Sequence, residues 1–480
     1  MQKIVLGTLL TILAVSVLAF MTLCQRALSG HAKRADRPVA VAKKTPAKKE
    51  AAAPATPAAP EKEYQMENLK LPYISRQPAA HLSRMQGRRL KPEQTTKHQD
   101  VKQMSLVVNS QDISDWDLTA YTADELKTGC YFDSRTIFPP TDKMPEGFNP
   151  EKLMKINKNP GLSLQLLHQE HIDGSGVNMA IVSRPLLTTH QEYAKNIVFY
   201  EETPFVVQEA EEAQPEGVTA ASLAVGQTVG IAPKANLFFF AHDRGDFQKE
   251  QKWDLRPMAR SLERIYELNK RLPYKIDVVA VTDILIEDAI GRQEVKDAVN
   301  KLENSGVAVF MQDDNFFIIN RTDPMKSPDE ISSFDDPIYW NERATRTIAF
   351  PGTFQTVASA RGEDVYEYLH GNLFEHVVIY AAGIYALAKQ VDPTLNKERF
   401  VRTAFETASK INSTHNNKEY SFSLVNPLAL IQHLEQLRTP SALQPVPPDE
   451  DVEHLPQPIK DIVQAHRRME RMNQQKREQN

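Results

Sequence analysis

The chain has 480 residues and a formal net charge of −5, with 41% hydrophobic and 25% charged residues. That is the balance of a globular protein, with room for one large domain plus accessory segments or for two domains. The charge supplies no electrostatic case for nucleic acid. Two cysteines, one of them (Cys24) inside an apolar N-terminal run, exclude a disulfide scaffold and leave Cys130 as a buried, neutral thiol.

Residues 1–29 carry an uncharged stretch, 4–24, between Lys3 and Arg26. It is long enough to span a bilayer, and it equally fits a secretory signal cleaved after Ala27-Leu28-Ser29. The basic residues behind it (Arg26, Lys33, Arg34, Arg37, Lys43, Lys44), taken alone, would keep the following domain cytoplasmic. Residues 30–63 are Lys, Ala and Pro with almost nothing large. Such a segment cannot bury enough apolar surface to offset its ordering entropy, and the composition predicts a disordered spacer.

Residues 64–150 are polar and mixed. A strand is expected at 104–108 and a helix start at 122–128. The Pro-rich stretch 131–150 reads as an arm packed on the next domain. Residues 151–438 show short apolar strands alternating with helical segments, the pattern of an α/β domain with a mainly parallel sheet. Strands are expected at 177–182, 196–200, 235–241, 276–281 and 307–311, and helices at 255–271, 293–305, 374–390 and 397–407. Residues 439–480 follow as a Pro-rich acidic linker and a charged helix. Its meagre apolar side, Ile462, Val463 and His466, predicts a solvated element or one held by a partner.

The most informative stretch is 216–233, EGVTAASLAVGQTVGIAP, a loop entering a helix of small residues that Gly226 ends, then a turn and a strand. Upstream, Asp173-Gly174-Ser175-Gly176-Val177 opens another strand, which ends at Ser183 and continues RPLLTTHQEY. Downstream, Ala382-Gly383-Ile384 lies in a long apolar helix. Taken together, and over residues 150–410, these segments resemble the subtilases, the subtilisin-like serine peptidases. The resemblance implies a subtilisin-like three-layer α/β fold, and it implies export, placing the globular part outside the cytoplasm, either secreted or membrane-anchored by residues 4–24. On this reading residues 64–150 are an N-terminal extension or a propeptide-like arm.

The same resemblance implies that the catalytic residues are gone. The acid, base and nucleophile of a serine peptidase converge on one point. Their places fall on Ser183, Glu216 and Glu375, and no Ser or Thr lies anywhere in 371–379. The oxyanion Asn is kept as Asn315, but Asp313 and Asp314 replace the small residues before it. The substrate-binding strand loses its Gly at Thr282-Asp283-Ile284. The chain is therefore expected to be a pseudopeptidase that binds an unknown protein or peptide. The alternative is an active serine-type endopeptidase, or another hydrolase with a rearranged acidic site built on Glu216 and Glu375. Those two with Asp313 could also form a cation pocket. No cofactor or phosphate-binding motif is present, and His190 and His376 lack metal-ligand spacing and read as packing histidines.

Overall fold

The computed structural model describes residues 106–203, 212–244, 251–312, 316–371 and 374–437, with Pro78 and scattered positions from 457 to 471. The chain divides into two compact units, Met1–Tyr64 and Gln65–Asn480. The N-terminal segment expected to be an anchor or signal, the linker 30–63 and the Pro-rich stretch before residue 457 lie outside the described residues. Among the described residues no helix is long and apolar enough to cross a membrane.

The second unit begins with β1 (Leu106–Val107), α1 (Ala123–Gly129), β2 (Cys130–Asp133), α2 (Pro150–Asn157) and α3 (Leu164–Gln169). β3 (Asn178–Ser183), β4 (Ile197–Glu202), α4 (Pro215–Val225) and β5 (Asn236–Ala241) follow. Next come α5 (Arg256–Arg271), β6 (Val278–Val281), α6 (Arg292–Asn304), β7 (Ala308–Met311) and β8 (Phe316–Arg321). The chain continues through β9 (Phe334–Pro337), β10 (Ile348–Phe350), β11 (Gln355–Ala358), β12 (Tyr366–Leu369) and α7 (Phe374–Val391). It closes with α8 (Lys397–Glu406), β13 (Ser409–His415), β14 (Lys418–Leu424) and α9 (Pro427–Leu437). The expected strands and helices of the α/β region are all present, with ends displaced by at most two residues.

The central sheet runs β4-β5-β3-β6-β7, and every neighbouring pair in it is parallel. Its inner strands, such as NLFFFA in β5 and VVAV in β6, are buried along their whole length, which is why their sequences are continuous apolar runs without alternation. Successive side chains still face opposite ways. Met179, Ile181, Leu237, Phe239, Ala280 and Phe310 pack in one core with α4 and α7. Ala180, Val182, Phe238, Phe240, Val279, Val281 and Val309 pack in the other with α5 and α6. The result is three layers: helices, sheet, helices.

Each helix carries the chemistry its layer demands. On α5, Met258, Leu262, Ile265 and Leu268 recur on one side and are buried, while Arg260, Glu263 and Lys270 are exposed. On α4, residues 217–225 are buried all round, and its small side chains let it sit between the sheet and α7. Gly226 ends the helix as expected, but not in a left-handed conformation. A Cβ there would lie 2.3 Å from the Ser222 carbonyl oxygen and 2.9 Å from a Glu192 carboxylate oxygen, so bulk rather than φ is what the position forbids. Gly174, by contrast, has φ +87° and packs on Ala232 and Ala235 of the turn before β5.

The arm before residue 150 contributes to the fold directly. β2 pairs antiparallel with β12, and the sheet β1-β2-β12-β11 joins the arm to the hairpin that precedes α7. The buried Asp133 carboxylate accepts from the Ser110 backbone (2.8 Å) and hydroxyl (2.5 Å), and the Tyr131 and His370 rings meet at a tilt of 39° with centroids 3.8 Å apart. At the other end of the chain the expectation of a solvated helix needs correction. Val463 is 1% exposed and belongs to the α5–α6 core, because an otherwise polar helix can bury one branched apolar side chain against the end of a neighbouring layer.

One close approach sets the position of α4. A Cβ at Gly217 would lie 2.1 Å from the Arg184 carbonyl oxygen and 2.9 Å from that of Pro185, immediately after β3. Gly217→Ala is expected to lower stability by about 2–3 kcal/mol, since the clash outweighs the better helix propensity of Ala. Urea midpoints at unchanged slope measure it, and a variant as stable as the parent would contradict this packing.

Candidate functional site

All strands of a parallel sheet point one way, so the residues just beyond their carboxyl ends collect along one edge, together with the amino ends of the helices that follow. Here that edge holds Ser183 at the end of β3, His242-Asp243-Arg244 after β5, and Thr282-Asp283 after β6. Glu216 is in the first turn of α4 and Glu375 in the first turn of α7. Acids at these two helix starts are favoured by the helix dipole.

The structure couples two of the three candidate positions, Glu216 and Glu375, electrostatically. The Glu375 carboxyl is raised above its usual range, first by burial, then by the charges of Glu216 and Asp283, with Arg244 acting against them. Arg244 in turn feels Asp283 most strongly, then Glu216 and Glu375. Glu216 is exposed at the rim, and Glu375 and Arg244 are half-buried.

Ser183 takes no part in that charge network. It is fully buried, and its Oγ accepts a hydrogen bond from Thr282 Oγ1 at 2.7 Å. A hydroxyl so engaged cannot supply the negative charge that steadies a catalytic base. The neighbouring backbone is fixed as well: His242 N donates to the Ser183 carbonyl at 2.9 Å, and Gln214 N to the Pro185 carbonyl at 2.8 Å.

The strongest ion pair of the site was not anticipated from the sequence. Asp283 is 2% exposed, and its Oδ1 accepts from Arg244 Nε at 2.8 Å and from Arg244 Nη2. Burial alone would raise the Asp283 carboxyl. Arg244, and after it His242, hold it below the ordinary carboxylate range instead. The signal available was His-Asp-Arg, three polar residues directly after the apolar run of β5, where a strand leaves the core. In the resemblance, Asp283 stands at the hydrophobic position of the substrate-binding strand, and the missing glycine falls one residue on, at Ile284.

Other candidate residues have structural roles. His190 is buried, its Nε2 donating to the Val365 carbonyl at 2.9 Å while Nδ1 accepts from Glu192 N at 3.2 Å. Glu192 accepts from Thr228 N and Oγ1 at 2.8 and 2.5 Å and from the Tyr366 hydroxyl at 2.5 Å. The HQEY segment thus ties the turn after α4 to β12. Cys130 is fully buried and burial pushes its thiol far up, away from reactivity. Asn315, Asp313 and Asp314 lie outside the described residues. Among the described residues no group of three or more His, Cys, Asp or Glu side chains is arranged to hold a metal ion.

No family profile matches the chain, and no curated protein matches it. Solved structures do. The prenylagaramide maturation protease PagA is 16% identical over 56% of this chain and 98% of its own, with a TM-score of 0.42. Fervidolysin from Fervidobacterium pennivorans, a keratinolytic enzyme related to subtilisin, is 14% identical over 60% of this chain, with a TM-score of 0.41. The match spans about half of fervidolysin, 48% of its length. MycP1 with its N-terminal propeptide removed is 13% identical over 56% of this chain and 94% of its own, with a TM-score of 0.36. The likeness is one of fold.

His376, next to Glu375, gives the site a pH dependence. It is 1% exposed, neither ring nitrogen has a hydrogen-bond partner, and burial lowers its pKa to about 3. A histidine depressed in the folded state leaves stability intact above its unfolded value of about 6.5 and costs stability as pH falls toward the folded value. Between pH 6.5 and 5 that loss is about 2 kcal/mol for this one group. His376→Leu is expected to remove that part of the acid sensitivity and to leave stability at pH 7 unchanged or higher, as urea unfolding at the two pH values would show.

Proposed function

We propose that this chain is a subtilisin-like peptidase-fold protein that has lost proteolysis and acts by binding a protein or peptide partner. The observation that carries the reading is the content of the carboxyl edge of the sheet. Where a nucleophile, a base and an orienting acid would have to converge, the chain places Glu375, Glu216 and a buried Ser183 hydrogen-bonded to Thr282. A carboxylate is by nature a weaker base than an imidazole toward a serine hydroxyl, and there is no serine at the start of α7 for Glu216 to activate. The carboxyl ends of the strands and the amino ends of α4 and α7 lie along one edge of the sheet, and an extended partner would lie along that edge. Export through residues 4–24, secreted or held at a membrane, belongs to the same reading, and the partner is a polypeptide rather than nucleic acid.

A second reading is favoured by one feature. Glu375 is pushed toward its protonated form by burial and by Glu216, and paired carboxyls with separated pKa values can divide acid and base roles in a hydrolase. Glu216 with Glu375 as an acid–base pair, or with Asp313 as a cation pocket, would serve that chemistry.

Treating the full-length protein with a fluorophosphonate probe and assaying it on casein at neutral pH separates the two. Neither serine labelling nor casein turnover is expected, and labelling of any serine would overturn the leading reading. Binding of extended peptides from an immobilised library is expected to fall at least tenfold in the Glu216→Gln, Glu375→Gln double variant. Hydrolysis that disappears in the single Glu375→Gln variant, or a calcium-dependent rise in melting temperature that does so, would favour the acidic site.

A further inference from the structure

One buried carboxylate at the carboxyl edge faces both a guanidinium and an imidazole. Asp283 Oδ1 is taken by Arg244. Its Oδ2 has no hydrogen bond and lies 3.4 Å from His242 Nε2, which has none either. The other ring nitrogen, His242 Nδ1, is 2.8 Å from the Asp243 carbonyl oxygen. A carbonyl can only accept, so Nδ1 carries the hydrogen. In the neutral ring Nε2 then presents its lone pair toward a carboxylate oxygen, which is a repulsive arrangement. A single proton taken from solvent onto Nε2 turns that repulsion into a charge-assisted N–H···O contact.

We propose that His242, Asp283 and Arg244 form a proton-operated switch, in which protonation of His242 draws the Asp283 charge away from Arg244 and frees the guanidinium for Glu216 and Glu375. Among the described residues, four neighbours bear on the histidine, and two glutamates follow through Arg244. Asp283, after β6, favours the proton. Arg244, after β5, and Arg184, after β3, whose guanidinium donates to the His242 carbonyl at 3.3 Å, oppose it. Asp243 contributes its carbonyl. Glu216 on α4 and Glu375 on α7 reach the cluster through Arg244, whose charge already responds to both. With the ring neutral, Arg244 and Asp283 cancel and the two glutamates leave the edge acidic. With the ring charged, the edge carries one negative charge less. Burial lowers the His242 pKa, so the exchange lies below the ordinary histidine range.

The test is histidine NMR on the full-length protein labelled at the ring Cε1 carbon, with the His242 signal assigned by its loss in His242→Asn. His242 is expected to titrate below pH 6.5. Asp283→Asn removes the anion and should lower its midpoint by about one pH unit or more, while Arg244→Met removes the competing cation and should raise it by a similar amount. In the unmutated protein the Arg244 Nε–H signal should move with the His242 midpoint. That arm stands even where Asp283→Asn does not fold. A merely structural cluster would change stability without moving either midpoint. A His242 titration indifferent to Arg244→Met, or an Arg244 signal that stays constant through it, would overturn the switch.

Discussion

The constraint on which the rest of this structure depends is the burial of a five-stranded parallel sheet on both faces. Parallel strands need crossovers, crossovers put helices on the faces, and helices on both faces make every inner strand apolar throughout. The polar groups of the strands' ends are then forced out along two edges. At the carboxyl edge, Ser183, His242, Arg244, Thr282 and Asp283 come together although they are up to a hundred positions apart. Ser183, the residues after β5 and those after β6 could not be near one another without that topology. The edge is also where helix amino ends deliver Glu216 and Glu375, so the chemistry of the region follows from the direction of the strands.

Among the described residues, the edge is held by an ion network. A buried pair such as Arg244–Asp283 is poor evidence of stability by itself, because the desolvation of two charges offsets much of their attraction, yet removing one partner strands the other at considerable cost. Such a pair therefore tends to be kept once the surroundings depend on it. Arg244 feels the charges of three carboxyls, and Asp283 also faces the His242 imidazole. The proposed loss of proteolysis and the proposed proton exchange describe the same fact: charges that steady one another occupy the space where reacting groups would need freedom.

The scaffold around the edge keeps demands of its own. The small residues of α4 are needed because the helix lies between sheet and α7, and Gly217 because its Cα approaches the Arg184 carbonyl too closely for any side chain. The HQEY segment looks like part of a functional motif, but its partners are Thr228, Tyr366 and Val365, a brace between the α4 turn and the β12 hairpin. The arm before residue 150 supplies two strands of that hairpin's sheet, so it is part of the support rather than an appendage lying on it.

Local pattern was enough to place the strands and helices of the α/β region, because a fully buried strand and an amphipathic helix each write their environment into consecutive residues. The glycine-rich turn, the small-residue helix and the substitutions Ser183, Glu216 and Glu375 were legible for the same reason: each is a short motif read in order. The pairing of Arg244 with Asp283, the approach of His242 to the same carboxylate and the burial of Val463 were not. Each of those joins residues from separate elements, or depends on which neighbour covers a single side chain, and neither periodicity nor spacing along the chain encodes such a contact. The chain's own order determined what could fold here and which side chains stand at the strand and helix ends. Only the convergence of strand ends in three dimensions decided which of those charges would stand together.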